Sequence, residues 1–276
     1  MKHKGAAART APDLQLGLIG DNIASSRAPV LHRLAGEQSG LTVIYDRLVP
    51  PVMELTFAEV FATCAQGGFR GINVTYPYKE RAVAHVTVDD PLVRAIGAVN
   101  TVVFEAEGPK GYNTDYSGFV TAYRRERDDM APGVCCMIGA GGVGRAVAFG
   151  LLALGAEEIR LVDMDAGRAD ALAADLRTAS PVMKVTTGPD ADGGADGAQG
   201  VLNCTPVGMD GLAGTPVPRE ALRGVKWAFD AVYTPVNTQF LGDARAEGVQ
   251  VISGYELFFY QGVDAWARFA GKPLDE

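Results

Sequence analysis

Short apolar runs bounded by Gly, Pro, Asn and Asp alternate with longer stretches of helical pattern along most of the chain. Residues 14–19 read as a strand that ends in Gly20-Asp21. Residues 28–39 suit a helix with Pro29 in its first turn, where the missing N–H costs nothing. Val43-Ile44-Tyr45 is strand-like, 52–65 is helical, 71–75 is a strand running into Tyr76-Pro77, and 80–86 is a short helix. Residues 98–104 followed by 111–113 resemble a hairpin around Gly108. A helix from Tyr116 to about Arg127 carries Phe119 and Tyr123 on one side, and strands follow at 134–138, 159–162, 184–186, 201–203 and 228–230. The segment 188–200 (GPDADGGADGAQG) is too poor in apolar residues to be core and reads as an exposed loop. The last helix, 257–269, is rich in aromatics. Strands alternating with helices imply mostly parallel sheets covered by helices.

One junction is more specific than the rest. The apolar strand 134–138 delivers the chain into Gly139-Ala140-Gly141-Gly142-Val143-Gly144, and a helix begins at once. In a G-x-G-x-x-G turn the first glycine permits the tight turn, the second lets the backbone approach a pyrophosphate, and the third lets helix and strand pack closely. The helix N-terminus then offers free N–H groups to the phosphates. The next strand ends at Asp163, 24 residues beyond Gly139, about where a carboxylate grips the adenosine ribose of NAD. The expected fold class is therefore α/β in two domains. A mixed, mostly parallel α/β substrate domain spans 1–114 plus 254–276, and a Rossmann-type doubly wound NAD-binding domain spans 115–253. A cleft between two such domains is where a ligand sits.

Composition narrows the chemistry. A net charge of −8, spread along the chain, disfavours nucleic acid as a partner, because that association is driven by phosphate attraction. The four cysteines and three histidines show no metal-ligand spacing, so no metal is expected and the cysteines read as reduced packing thiols of a cytoplasmic protein. Residues 1–9 are basic without a following apolar core and read as a frayed tail. No segment has the apolar length of a membrane span.

A nicotinamide enzyme needs a group to move the proton of the reacting hydroxyl. His32, beside Arg33, and His85 read as surface or capping residues, and His3 lies in the tail. Lys79, delivered past Pro77 from a strand end that carries Asn73 and Thr75, and Asp115 in Asn113-Thr114-Asp115 are the other candidates. A lysine held near an aspartate can exchange a proton with a secondary alcohol. Each has a plain alternative as well: a solvated lysine at a helix start, and a helix cap.

Taken together, eight segments resemble the shikimate/quinate dehydrogenase family in order: 20–29 (GDNIASSRAP), 71–79 (GINVTYPYK), 97–101 (GAVNT), 111–115 (GYNTD), 139–144 (GAGGVG), 203–209 (NCTPVGM), 230–233 (DAVY) and 254–262 (GYELFFYQG). The resemblance spans nearly the whole chain. It implies Lys79 and Asp115 as the catalytic pair, with Asn73, Thr75, Asn100 and Gln261 on ring hydroxyls and Ser26 and Tyr233 on the carboxylate. It implies a cofactor site of Gly139, Ala140, Gly141, Gly142, Val143, Gly144 and Asp163, with Cys204, Thr205, Pro206, Met209, Val232 and Gly254 on the nicotinamide side. Ser26 also has a purely structural reading, as the N-cap of the helix near Pro29.

Two positions depart from the family. Ala28 stands where a hydroxyl residue is usual, and Glu256 where an apolar one is usual. A carboxylate at 256 facing the cleft would suit a cationic substituent; otherwise it is a solvated helix-start residue. Members that prefer NADP typically carry Asn-Arg-Thr after the second strand of the nucleotide domain; this chain has Asp163-Met164-Asp165. NAD is expected and NADP disfavoured, with Arg168 a helix-face residue or adenine neighbour. The expected function is an NAD-dependent dehydrogenase interconverting shikimate and 3-dehydroshikimate, or quinate and 3-dehydroquinate, as a monomer or homodimer. The alternatives are an aminoshikimate-type dehydrogenase and a catalytically silent NAD-binding paralogue.

Overall fold

A computed structural model describes residues 11–274; the tail expected at 1–9 lies outside the described residues. The first half alternates β1 (Leu14–Ile19), α1 (Ala28–Ser39), β2 (Val43–Leu48), α2 (Pro50–Met53), α3 (Phe57–Gln66), β3 (Gly71–Val74), α4 (Lys79–Ala82), α5 (Pro91–Ile96), β4 (Thr101–Glu105) and β5 (Gly108–Tyr112). These strands form one sheet in the order β2-β1-β3-β4-β5. The first three strands run parallel, and β4 and β5 complete the sheet as an antiparallel hairpin.

The second half carries α6 (Thr114–Arg127), β6 (Val134–Ile138), α7 (Gly142–Ala153), β7 (Glu158–Val162), α8 (Ala166–Ala179), β8 (Lys184–Gly188), α9 (Ala191–Ala195), β9 (Gly200–Asn203), β10 (Trp227–Asp230), α10 (Gln239–Ala246), β11 (Gln250–Ile252) and α11 (Gly254–Ala270). All its strands are parallel, in the order β11-β10-β9-β6-β7-β8. The strand order reverses between β6 and β9, which is where a doubly wound sheet opens a crevice at its carboxyl edge. Cys135, Cys136 and Met137 of the central strand are completely buried, as a strand covered on both faces must be.

Helices α6 and α11 join the two sheets. A Cβ at Gly118 of α6 would come within 2.7 Å of the Gln261 backbone on α11, so the helices touch at the main chain there. On the far side Phe119 meets Phe229 edge-on and Tyr123 meets Trp227, while Phe269 of α11 closes on Gly71 of β3.

Helix α10 and strand β11 were not foreseen, and the structure departs from the sequence reading in four further places. The helix expected at 52–65 is two, because Glu54 takes a left-handed backbone and Thr56 starts α3 with a capping box closed by Glu59. Helix α5 was not foreseen; Asp90 accepts the N–H groups of Leu92 and Val93, with Pro91 at the first helical position. The segment 188–200 is not a bare loop: Asp190 caps the short α9, and Ala195, its last residue, and Ala198 are buried. The last helix begins three residues early, through a capping box of Ser253 and Glu256.

Candidate active site

The chain leaves β3 through 75–78 and starts α4 at Lys79. Two bonds fix that turn: the Tyr78 hydroxyl donates to Asp21 Oδ1 at 2.7 Å, and the Val99 N–H donates to the Lys79 carbonyl at 2.9 Å. Asp115 sits in the first turn of α6, whose N-cap is the Asn113 side chain, accepting the Tyr116 N–H. Lys79 Nζ donates to Asp115 Oδ2 at 2.5 Å, with the side chains 20% and 12% exposed. The two residues are thus an ion pair with one face open to solvent.

Above the pair lies a cavity of about 280 Å³ whose walls include Ser26, Asn73, Thr75, Asn100, Tyr233 and Gln261. The resemblance named these six residues and the structure gathers them all. Ser26 is not the N-cap of α1; Arg27 holds that position, and Ser26 Oγ accepts the Ala28 N–H at 3.3 Å. The loop bearing Ser26 is braced by Arg47, which donates to the carbonyls of Ile23 and Ser26 at 3.0 Å each. Tyr233 stacks on Phe258, ring centroids 5.2 Å apart. Gln261 is held by donation to the Phe258 carbonyl at 2.9 Å.

A second cavity of about 810 Å³ runs along the carboxyl edge of β6. Thr75, Lys79 and Val143 line both cavities, so the two meet at the lysine. The glycine turn fits a dinucleotide cradle. Gly139 has φ 101°, and a Cβ at Gly144 would lie 2.1 Å from the Gly139 carbonyl oxygen, so tight turning and close packing are met there. Cβ atoms at Gly141 and Gly142 would meet nothing within 4 Å, so the bare backbone faces open groove. Asp163 accepts the Ala140 N–H at 2.8 Å and the Asp165 N–H at 2.9 Å, which ties the acidic strand end to the turn. Arg168, exposed on α8, and Arg145 line the same groove.

Of the other residues expected around the cofactor, Ala140, Gly141, Gly142 and Val143 line the groove, and Gly254 lines the smaller cavity. A Cβ at Gly254 would lie 2.5 Å from the Val232 carbonyl oxygen, so only glycine fits. Thr205, Pro206, Met209 and Val232 line neither cavity. Cys204 is corrected: it is sealed beneath the glycine turn, against Gly139 and Gly144, and burial pushes its thiol up. Its side chain supports the turn instead of facing the groove.

The histidine reading is corrected as well. His32 is 2% exposed and stacks on Tyr45 with centroids 5.1 Å apart; burial lowers its pKa to about 4 against an opposing hydrogen bond to Asn73. His85 packs against the rings of Phe57 and Phe61. Glu256 is neither cleft-facing nor simply solvated. It accepts the Ser253 N–H at 2.7 Å and the Ser253 hydroxyl, closing the cap of α11. Residues that sequence reasoning missed include Tyr45, Thr101 and Thr114, which form a buried hydrogen-bonded set behind Asn73 and Asn100. Arg145 was missed too; it is tied to the carbonyls of Ala95 and Ile96 and to Asp175, and its position directly after the glycine motif was the available signal.

Known proteins share this arrangement. A family model described as the shikimate dehydrogenase substrate binding domain matches residues 18–102. A shikimate dehydrogenase (NADP(+)) of Pseudarthrobacter chlorophenolicus is 37% identical, with 94% of this chain and 90% of the relative covered. A quinate/shikimate dehydrogenase (NAD(+)) of Corynebacterium efficiens is 36% identical, with 94% of each covered. The solved quinate dehydrogenase from Corynebacterium glutamicum in complex with NAD superposes with a TM-score of 0.89 at 34% identity, covering 95% of both chains. Shikimate 5-dehydrogenase from Thermus thermophilus, in complex with NADP(H) and shikimate, gives 0.84 at 32% identity, again over 95% of both chains. With the doubly wound sheet, its glycine turn and the polar cavity beside it, these matches place the chain in the shikimate/quinate dehydrogenase family of nicotinamide-dependent oxidoreductases.

Proposed function

We propose that the protein is an NAD-preferring dehydrogenase that interconverts shikimate with 3-dehydroshikimate, quinate with 3-dehydroquinate, or both. The observation that carries this reading is the Lys79–Asp115 ion pair, set where the small polar cavity opens into the glycine-turn groove. NAD, when bound, supplies a hydride acceptor. The proton of the reacting hydroxyl passes to the Lys79–Asp115 pair, whose ammonium in turn donates to the ketone oxygen in the reverse direction. Asn73, Thr75, Asn100 and Gln261 frame the ring hydroxyls, and Ser26 and Tyr233 hold the carboxylate beside the first turn of α1, where an anion is favoured. Sites that hydrogen-bond hydroxyls reject analogues lacking them, because their own polar groups go unpaired.

For the cofactor, Gly139, Gly141, Gly142 and Gly144 shape the cradle, and the first turn of α7 presents its N–H groups to the pyrophosphate. Both Asp163 oxygens accept one backbone N–H in the structure and keep lone pairs for the ribose hydroxyls. Asp163 and Asp165 together repel a 2′-phosphate, so NAD is preferred. Arg168 lies on the helix face beside the adenine. We divide the chain into a substrate domain of 1–114 plus 254–276 and an NAD domain of 115–253, joined by the α6–α11 contact. We propose a cytoplasmic enzyme, monomeric or homodimeric; among the described residues no helix is long and apolar enough to cross a membrane. The capping role of Glu256 removes one of the two features that favoured an amine-bearing substrate; the other, Ala28, lines the cavity. The intact lysine–aspartate pair speaks against a silent paralogue. Initial rates with shikimate and quinate, each against NAD and NADP, test the reading. NAD-linked turnover of at least one substrate with higher kcat/KM than NADP supports it; equal or NADP-favoured values overturn the cofactor assignment, and no turnover of either substrate overturns the activity.

A further inference from the structure

We propose that Tyr45 is a positioning residue of the substrate cavity. Its hydroxyl ends a hydrogen-bond chain, through Asn73 and Thr101, that backs the Asn100 side chain, whose amide –NH₂ the Thr114 N–H leaves facing the substrate as a donor. The inference rests on the cavity being the substrate site and adds the polarity of one of its contacts.

The direction is set at the far end of the chain. A backbone N–H can only donate, and that of Thr114 donates to Asn100 Oδ1 at 2.7 Å. The Thr101 and Thr114 hydroxyls both reach the same oxygen, at 3.1 and 3.2 Å, and lie 3.1 Å from each other. Having given its proton onward, the Thr101 oxygen accepts from Asn73 Nδ2 at 3.0 Å. The other Asn73 amide proton points to the Asn100 carbonyl at 3.4 Å. Asn73 Oδ1 therefore faces β2, where it accepts from the Tyr45 hydroxyl at 2.8 Å, with the His32 ring a second hydrogen-bonding neighbour of the Asn73 side chain.

Strand register makes the chain possible. Asn73 lies opposite Thr101 in the antiparallel β3–β4 pair, and Tyr45 reaches across from β2, beyond β1. The phenol is buried, which pushes its ionisation up and keeps the donor proton in place. The His32 ring stacks on it, 7° from parallel with centroids 5.1 Å apart. Asn73 thus spends both amide N–H groups on the protein, leaving only its oxygen able to accept from a ligand. Asn100 does not: its oxygen is occupied, its Nδ2 bonds to none of the described residues, and the residue lines the cavity. Nδ2 is also absent from the sealed, unpartnered polar atoms among the described residues. Two N–H donors at this wall donate to a hydroxyl or a ketone oxygen alike, which suits both members of an alcohol/ketone pair, and they exclude an ammonium.

The test compares Tyr45→Phe, Thr101→Val and Thr101→Ser with the unmodified enzyme. The first two break the chain at different links, and the third keeps the hydroxyl. Removing one buried partner raises the KM for shikimate or quinate by about 5–50-fold. We expect kcat to stay within about 3-fold and the KM for NAD to hold, because the lost interaction is equally present in ground and transition states. Thr101→Ser should match the unmodified enzyme. The double variant Tyr45→Phe/Thr101→Val should be no worse than the worse single, since both cut one chain. Independently of turnover, the side-chain amide resonances of Asn100 should shift in Tyr45→Phe, although Tyr45 makes no bond to Asn100. Lowered melting temperatures with unchanged substrate KM, additive effects in the double variant, or unmoved Asn100 resonances would each overturn the proposal. If the unmodified protein turns over neither substrate, the proposed activity fails, and the resonance comparison still decides the role of Tyr45.

Discussion

Replacing Lys79 by methionine keeps most of the side-chain volume and removes the ammonium from the Lys79–Asp115 pair. At the observed 2.5 Å, two unit charges attract by about 2 kcal/mol at the dielectric of water and about 7 kcal/mol at an effective value of 20. Side-chain exposures of 20% and 12% place the pair between these limits, and desolvation offsets much of the attraction. The variant should therefore lose about 1–3 kcal/mol of stability, because Asp115 is left half-sheltered without its cation. The catalytic loss should be larger. Proton transfer by a positioned group contributes about 10²–10⁴-fold, equivalent to about 2.7–5.5 kcal/mol of barrier. Initial rates at saturating NAD and varied shikimate or quinate should show kcat lower by that factor and KM changed by only a few-fold. Since the pair acts as a unit, Lys79→Met combined with Asp115→Asn should be no slower than the worse single variant. A folded Lys79→Met enzyme with kcat within about 3-fold of the original would remove the lysine from the mechanism.

Three further outcomes follow from individual side chains. Asp163→Ser removes a carboxylate from the ribose end of the groove, so the NAD over NADP ratio of kcat/KM should fall by about 10–100-fold; an unchanged ratio would show that Asp163 does not set the preference. His32 has a folded pKa of about 4 against an ordinary 6.5, so the unfolded chain takes up its proton first as pH falls. Stability should be unaffected by this group above about pH 6.5 and decline by up to about 3 kcal/mol between there and pH 4. In His32→Phe that part of the slope should vanish in denaturant titrations; an identical slope would contradict the buried neutral ring. Glu256→Ala should cost about 0.5–2 kcal/mol through loss of the α11 cap and leave the relative rates on amine-bearing and hydroxyl-bearing substrates unchanged; a selective loss on the amine would return Glu256 to the cleft.

Much of the fold was legible because its signals are local. The run from Val134 to Gly144 states a strand, a turn and a helix start within a few residues, and the strand at Gly71–Val74 with Tyr76-Pro77 after it is equally self-contained. The missed helix starts at Thr56, Asp90 and Ser253 were also written locally, as capping residues followed by Glu59, Pro91 and Glu256. Apolar periodicity alone passed over them, because a cap changes a boundary without changing the pattern beside it. The supporting residues of the site were harder for a different reason. Whether His32 is a surface residue or a stacked core ring depends on what Tyr45 and Trp266 do far away in sequence. Likewise Thr101 becomes a partner of Asn73 only through the β3–β4 register. Cys204 sits in a segment that the resemblance assigns to the cofactor side, but its own position in that loop turns it under Gly139. The resemblance thus pointed to residues that the structure gathers at one cavity, while the residues packed behind them required the pairing of strands.

The most direct measurement is isotope transfer in a single turnover. Shikimate or quinate carrying deuterium at the reacting carbinol carbon is mixed with the enzyme and NAD, and the reduced cofactor is analysed by mass and by proton spectrum. One deuterium on the nicotinamide ring, with the hydroxyl proton released and the label lost from the ketone product, is the expected result. Formation of ketone without label on the cofactor, or no reduced cofactor from either substrate, would contradict hydride transfer beside the Lys79–Asp115 pair.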